Sequence, residues 1–362
     1  MTRRDRSVVP GRGNHGLEQR VLVSLRAVAP SLQDGSLVVG FSGGLDSLGL
    51  LVILSKLQHV LGHDLLALHV DHQLRPDSSL DAEQAENLAA AIGVPFHLDR
   101  LEPGLAARHP GVGDEEAARR GRYQAAATFA ASVGGSFVTG HHAEDQAETV
   151  LLHLLRGSGL AGVGGMRSVT HLTLPWWHPS SSATATGLTI VRPLLGTRRS
   201  EISDYLMDRR PDLVAVQDPS NASDRYRRND VRHHLLPEAE RIFPAAVDAL
   251  IRFARIAAEE SDLLDAIAVN ALTSALDSSG RPSRSELAAE PVAIARRVLR
   301  AWLLANCPGL ELSMERVEAL RELAGGDQNG WYIQVGSGYR VHGDGNLLTL
   351  RPSSPGEDEQ TR

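Results

Sequence analysis

At 362 residues the chain is long enough for two domains, and a hydrophobic content of 42% supplies their cores. A net charge of −7 excludes a uniformly basic surface, so any nucleic-acid contact must be a local patch on an acidic background. The single cysteine, Cys307, excludes a disulfide framework and any Cys-x-x-Cys metal or iron–sulfur centre built from this chain. That usage fits a reducing, cytoplasmic setting. No apolar run reaches ~18 residues, so no membrane partner is expected. Residues 1–16 carry four arginines without an apolar core and read as a tail rather than a signal.

Residues 16–29 place Leu17, Val21, Leu25 and Val28 at helical spacing and predict a lead-in helix. An apolar strand, 37–41, runs into Ser42-Gly43-Gly44-Leu45-Asp46-Ser47 and then into an apolar helical stretch, 48–57. Residues 65–70 predict a second buried strand, ending in Asp71-His72. A helix at 81–92 is stopped by Gly93 and Pro95. A short strand at 96–98, an alanine-rich helix at 114–133, a strand at 136–139 and a helix at 143–155 follow. This alternation predicts an α/β fold with a doubly wound, mostly parallel sheet. Ligands of such sheets bind beyond the carboxyl ends of the strands. Three polar motifs, 42–47, 71–75 and 140–148, follow strands directly and are expected to converge on one crevice.

Residues 176–187 form a Ser/Thr-rich loop, 188–195 a strand, 198–209 a helix, and 218–234 a segment dense in polar and basic residues. The stretch 237–277 reads as a helical arm. A Ser/Gly/Pro patch at 277–285 marks the boundary of a small α+β module with helices at 291–305 and 313–323 and strands at 331–335, 339–342 and 347–350. The expected division is a tail and lead-in helix (1–34), a catalytic domain (35–235), a helical linker (236–284), a small substrate-binding domain (285–352) and a tail (353–362).

The strand-to-helix turn at 42–47 suits a phosphate. A helix N-terminus offers unpaired N–H groups and partial positive charge, and Gly43 and Gly44 let the backbone approach without a Cβ. Ser42 and Ser47 add hydroxyls. Asp46 beside a phosphate is repulsive unless a cation lies between them, which suggests Mg²⁺. The bland alternative is an ordinary tight turn, and no Gly-Lys-Ser/Thr makes it a Walker loop. Asp71 and His72, at a strand's carboxyl end, sit where a nucleoside is read, or else they form a polar strand end before an N-cap. In the third motif His141, Asp145 and Glu148 fall on neighbouring helical turns. Carboxylates there suit Mg²⁺ better than Zn²⁺, and a solvated acidic helix start is the plain alternative. Arg225, Arg227, Arg228 and Arg232, with Tyr226 among them, suit phosphate and base stacking, against a charged, solvated segment. Arg122 of the alanine-rich helix is expected to face the crevice.

The 42–47 run resembles the PP-loop signature of the N-type ATP pyrophosphatases. The resemblance narrows to the tRNA(Ile)-lysidine synthetases through His69-Val-Asp-His-Gln-Leu-Arg75, Ala117-Ala-Arg-Arg-Gly-Arg-Tyr123 and Thr139-Gly-His-His-Ala-Glu-Asp-Gln-Ala-Glu-Thr149. Leu154-Leu-Arg-Gly-Ser-Gly-Leu160, Gly164-Gly-Met166, Arg192-Pro-Leu-Leu195, Asp218-Pro-Ser-Asn221 and Arg225-Tyr-Arg-Arg-Asn229 extend it over 38–232. Glu144, where that family often has Asp, and the length of the 176–187 loop depart from the pattern.

The resemblance implies ATP and Mg²⁺ as cofactors, and free L-lysine and a tRNA(Ile) with a CAU anticodon as partners. Ser42, Gly43, Gly44, Leu45, Asp46 and Ser47 would hold the pyrophosphate, and Asp71 and His72 the nucleoside. Asp46 and Glu148 would hold Mg²⁺. Asp145 would orient or deprotonate the lysine amine. His141, His142 and Arg122 would meet the α-phosphate or cytosine, and Arg225, Arg227, Arg228 and Arg232 the tRNA. A homodimer is the assembly considered, although the sequence does not set it. A sulfur-transferring PP-loop enzyme is the nearest rival, opposed by the lone, distant Cys307. A catalytically silent tRNA-binding protein is the other, opposed by the intact Asp46, Asp145 and Glu148.

Overall fold

The computed structural model describes residues 14–73, 78–102, 104, 113–173, 187–216, 227–307, 310 and 312–353. Arg75, most of the Ser/Thr-rich loop, residues 218–221, Arg225, Tyr226 and most of both expected tails lie outside the described residues. The chain divides into two compact units, Met1–Ile256 and Ala257–Arg362.

The first unit begins with helix α1 (Asn14–Val28), whose Leu17, Val21, Leu22 and Leu25 are buried. Strand β1 (Leu37–Gly40) feeds helix α2 (Leu45–Leu61), ended by Gly62 in the left-handed region at φ 70°. Strand β2 (Leu65–Asp71), helix α3 (Ser78–Ile92) and strand β3 (Phe96–Arg100) follow. Then come helix α4 (Asp114–Ser132), strand β4 (Ser136–Val138) and helix α5 (Ala143–Leu155). The sheet order is β3-β2-β1-β4-β6-β5, with β5 (Val169–Thr173) antiparallel to β6 (Gly187–Val191) and every other pair parallel. The order reverses between β1 and β4, so the crevice opens at their carboxyl ends.

Alternation along β1 fills both faces of the sheet. Leu37 and Val39 join the α1 and α2 residues and Ile202, Tyr205 and Leu206 in one core cluster. Val38 joins Leu68, Phe137, Ile190 and the alanines of α4 in another. Helix α2 is buried on nearly all sides. Gly49 is needed there, since a Cβ would lie 2.3 Å from Ile202 of helix α7 (Arg199–Arg209).

Three sequence expectations are corrected. The strand expected at 188–195 ends at Val191, because Pro193 has no N–H to extend a ladder and 193–196 turns instead. The antiparallel β5 was not expected at all. The continuous arm at 237–277 is two helices, α9 (Leu236–Ile242) and α10 (Ala246–Ala275), parted around Pro244. Before α9, the short helix α8 (Arg227–Asp230; α6 is Leu160–Val163) runs into a π-turn, Val231–Leu235, in which the Leu236 N–H donates to the Val231 carbonyl. Pro237 cannot donate to a preceding turn, and the wider turn absorbs that loss.

The second unit packs helices α11 (Arg284–Ala289), α12 (Val292–Asn306) and α13 (Met314–Gly325) against a three-stranded antiparallel sheet. Its strands are β7 (Trp331–Gly336), β8 (Tyr339–Asp344) and β9 (Leu347–Pro352). Val298, Leu299, Leu303, Leu320, Val335, Val341 and Leu348 form its core, with Cys307 among them. Arg284 is buried at 6% exposure and satisfied throughout. It donates to the carbonyls of Ala324, Leu323, Gly326 and Gly345 and to the Asn329 Oδ1, and so caps the C-terminal end of α13. Among the described residues no helix is long and apolar enough to cross a membrane.

Arg284→Ala strands several buried carbonyls at once. We expect it to lower the stability of the second unit by about 3 kcal/mol, read by urea unfolding of the intact chain. A change within about 0.5 kcal/mol would show that water replaces the guanidinium.

Candidate active site

The loop after β1 is wired to itself. Gly43 lies at φ 78°, a conformation only glycine adopts freely. The Gly44 N–H donates to Ser42 Oγ (3.3 Å), the Ser42 N–H to Ser47 Oγ (3.3 Å), and the Ser47 hydroxyl to the Gly44 carbonyl (3.0 Å). Gly44 is the N-cap of α2 and makes no side-chain cap bond, so the first turn presents its N–H groups outward. The Gly43 carbonyl accepts from Val216, which closes one side of the loop.

The third motif meets this loop directly. A Cβ on Gly140 would lie 2.9 Å from the Asp46 carbonyl oxygen, so the residue after β4 can press against the first turn of α2 only because it is glycine. His141 and His142 precede α5 rather than lying on it, which corrects the helical placement expected for His141. Extended backbone at His142 (φ −124°, ψ −174°) lets both imidazoles engage the site.

His142 is enclosed at 3% exposure. Its Nδ1 lies 2.9 Å from Glu144, and its Nε2 lies 3.4 Å from Asp145 and 3.6 Å from Asp46. Burial disfavours its charged form, but hydrogen bonds to Asp46 and Glu144 and the charge of Asp145 outweigh burial and raise its pKa to about 9. It is therefore a buried imidazolium joining the loop carboxylate to α5. His141 behaves oppositely. Burial, against the pull of Asp145 and with Arg192, Arg122 and Arg228 nearby, holds its pKa at about 4. Its Nδ1 lies 2.8 Å from the Thr139 hydroxyl.

Asp46 is held below the ordinary carboxylate range: burial would raise its pKa, but His142 and Arg199 outweigh it. Arg199 Nε donates to Asp46 at 3.1 Å, while the Arg199 N–H and the Arg198 Nε reach Glu144, both at 3.0 Å. Neither arginine was singled out in the sequence; the signal was their place at the start of the helix after Arg192-Pro-Leu-Leu195. Gln146 was missed as well. Its amide accepts from the Met166 N–H (2.8 Å) and donates to the Met166 carbonyl (3.0 Å), pinning the Gly164-Gly-Met166 turn beside the acidic helix.

Glu148 is buried at 1% exposure. Arg232 Nε donates to it at 2.6 Å, Arg232 Nη2 at 3.0 Å and Arg228 Nε at 3.1 Å. Arg232 also donates to Asp145 at 2.9 Å. These two arginines, expected on tRNA, pair with the acidic helix, because the π-turn and the buried Val231 and Leu236 orient their segment. Arg227 stays exposed. Arg122 lies close enough to His141 and His72 to act on their charge. Asp71, buried at 4%, accepts from the Gln73 N–H at 2.9 Å, so its carboxylate shapes the strand end. Burial, with Arg122 and His69 nearby, holds the pKa of His72 at about 4. Its Nδ1 is buried without a hydrogen-bond partner among the described residues.

The loop fits a polyphosphate: the first turn of α2 has no side-chain cap on its N–H groups, the backbone at Gly43 and Gly44 carries no Cβ, and the Ser42 and Ser47 hydroxyls, bonded within the loop, lie beside it. For a divalent cation the donors divide. The Asp46 side chain, 31% exposed at the loop, fits. Glu148 does not, since both of its oxygens already carry guanidinium N–H bonds.

Replacing His142 by Gln removes a cation whose pKa is raised to about 9 from an ordinary 6.5. Its stabilisation is whole below pH 6.5 and is lost as the pH rises through 9. The wild-type-minus-variant difference should be about 3 kcal/mol at pH 6 and shrink toward pH 9. Denaturant midpoints across that range measure it, and a difference constant with pH would refute the charged assignment. His72 and His141, neutral in the fold, oppose folding only below pH 6.5 and cancel in this comparison.

A family model described as a PP-loop domain matches residues 17–239, more than half of the chain, and one described as the TilS substrate binding domain matches 283–344. The tRNA(Ile)-lysidine synthase of Gloeobacter violaceus is 38% identical over 299 residues, 82% of this chain and 85% of that protein. That of Synechococcus sp. is 35% identical over 307 residues, 83% of this chain and 86% of that protein. Among solved structures, the U34-tRNA thiolase NcsA from Methanococcus maripaludis superposes with a TM-score of 0.52 at 15% identity, over 67% of this chain and 79% of that one, a likeness of fold. A nucleotide loop of this geometry, an ATP-using PP-loop domain and a dedicated substrate-binding domain occur here in one chain, which belongs to the tRNA(Ile)-lysidine synthase family.

Proposed function

We propose that this chain joins lysine to C2 of the wobble cytidine of a CAU-anticodon tRNA(Ile), using ATP in the cytoplasm and switching the tRNA from methionine to isoleucine decoding. The observation that carries the reading is the contact of Gly140 with Asp46, which makes the phosphate loop and the acidic helix a single site.

In the first step the cytidine O2 bonds to the α-phosphorus, the bridging P–O bond breaks, and pyrophosphate leaves with the electron pair. Ser42, Ser47 and the N–H groups at the start of α2 take up the charge that develops on it. Mg²⁺, bound at Asp46, would neutralise phosphate charge. In the second step the lysine amine attacks C2 and AMP departs. The amine must be neutral to attack, and Asp145 is the base or orienting group assigned to it. His141, uncharged at neutral pH, and Arg122 are assigned to the α-phosphate or cytosine, and His72 to the nucleoside. Arg225 and Arg227 are the arginines left for the tRNA backbone, together with the unit around residues 285–352. The long α10 serves as the linker between that unit and the catalytic one. A homodimer is the assembly to be tested by light scattering.

Incubation of the full chain with ATP, labelled lysine and a CAU-anticodon tRNA should incorporate label and release pyrophosphate, and Asp46→Ala should abolish both. A folded sample that incorporates nothing would sink the reading. Pyrophosphate release without lysine incorporation would retain the adenylation step and reject lysine as acceptor.

A further inference from the structure

Glu148 has three guanidinium N–H bonds and almost no solvent access. A divalent ion of octahedral preference would have to displace two arginines to reach it. The arginines themselves are half open: the Arg228 and Arg232 side chains are 38% and 35% exposed. Each uses the Nε edge of its fork on Glu148, and Nη1 of each makes no hydrogen bond among the described residues. Arg232 lies 2.9 Å from Asp145, and His142 lies 3.4 Å from Asp145 and 3.6 Å from Asp46, so the arginine pair stands one residue away from the phosphate-loop carboxylate. With Nε on Glu148 and Nη2 turned to Asp145, each guanidinium is pre-organised to offer its Nη1 to phosphate oxygens. The π-turn and the buried Leu236 fix the segment that carries them.

We propose that Glu148 is a positioning residue, and that Arg228 and Arg232, which it holds beside Asp145, bind the phosphates of the nucleotide and stabilise the charge that forms on the departing pyrophosphate. This rests on the ATP-dependent reading above. It replaces Glu148 as a metal ligand with a charge clamp belonging to the chain, and it assigns the two arginines to the nucleotide rather than to the RNA backbone.

The test uses the full chain with Glu148→Gln, Arg228→Ala, Arg232→Ala and Arg232→Lys. The first readout is calorimetric binding of α,β-methylene-ATP without tRNA, in Mg²⁺ and in EDTA. Glu148→Gln, Arg228→Ala and Arg232→Ala should each weaken binding about tenfold in both buffers. The second is pyrophosphate release with tRNA across a Mg²⁺ titration. Here kcat should fall about 100-fold, with the half-maximal Mg²⁺ concentration unmoved. Glu148→Gln combined with Arg232→Ala should be little worse than either alone, and Arg232→Lys should recover only part of the loss, lacking the fork.

The proposal is overturned if Glu148→Gln loses affinity only in Mg²⁺, or is rescued by excess Mg²⁺. It is also overturned if the arginine variants bind the analogue like wild type and lose only tRNA in filter binding. Should Glu148→Gln fail to fold, the two arginine variants, on partly exposed side chains, decide the matter by the same measurements. If wild type binds the analogue but incorporates no lysine, the functional reading fails while the binding arm still reports on the clamp.

Discussion

Four carboxylates meet where β1 and β4 end: Asp46, Glu144, Asp145 and Glu148. Charges of one sign this close, away from bulk water, are mutually destabilising unless cations interleave them. The protein supplies those cations from three separate stretches. His142 lies between Asp46, Glu144 and Asp145; Arg198 and Arg199 come from the start of α7; Arg228 and Arg232 come from the π-turned segment. The sheet order, the glycine at 140 and the π-turn before Pro237 all serve this juxtaposition. A site so compensated also separates two adjacent histidines into opposite protonation states, one fixed as a cation and one kept neutral.

Much of this was legible in the sequence because local chemistry demanded it. A strand that enters Ser-Gly-Gly and leaves through Asp-Ser into an apolar helix has few other uses, and alternating strands and helices place its companions at the same sheet edge. The fold class and the convergence of the loop with residues 140–148 followed from that alone. Boundaries slipped where one residue's backbone chemistry overrode the apolar pattern, as at Pro193 and Pro244. β5 escaped notice because its alternating Val169-Thr-His-Leu-Thr173 is short and pairs only with the following strand.

Side-chain partners were less legible, for a physical reason. Whether an arginine meets RNA or a carboxylate depends on which way its segment turns. For Arg228 and Arg232 that is decided by a π-turn and by the burial of Val231 and Leu236, which composition does not announce. Arg225, Arg227, Arg228 and Arg232 read as one basic patch in the sequence, while in three dimensions two of them are committed to the acidic helix. Gln146 was hidden for a similar reason. Its bidentate hold on Met166 joins residues twenty apart and depends on Gly165 lying in the left-handed region.

Beneath the ion pairs lies a small apolar cluster of Ala143, Ala147, Leu236 and Val247. It packs the acidic helix against the helix that follows the arginines, so the distance between Asp145 and Arg232 is set by van der Waals contact as well as by charge. Ionic strength therefore acts unequally on this molecule. Mobile ions screen over about 8 Å in physiological salt but reach enclosed side chains poorly. The ion pairs of the buried Glu148 and His142 are insulated from the salt of their surroundings, while the field of the exposed Arg227 is not. Salt tunes the charge that this surface shows to solvent, and leaves largely untouched the pairs packed beneath it.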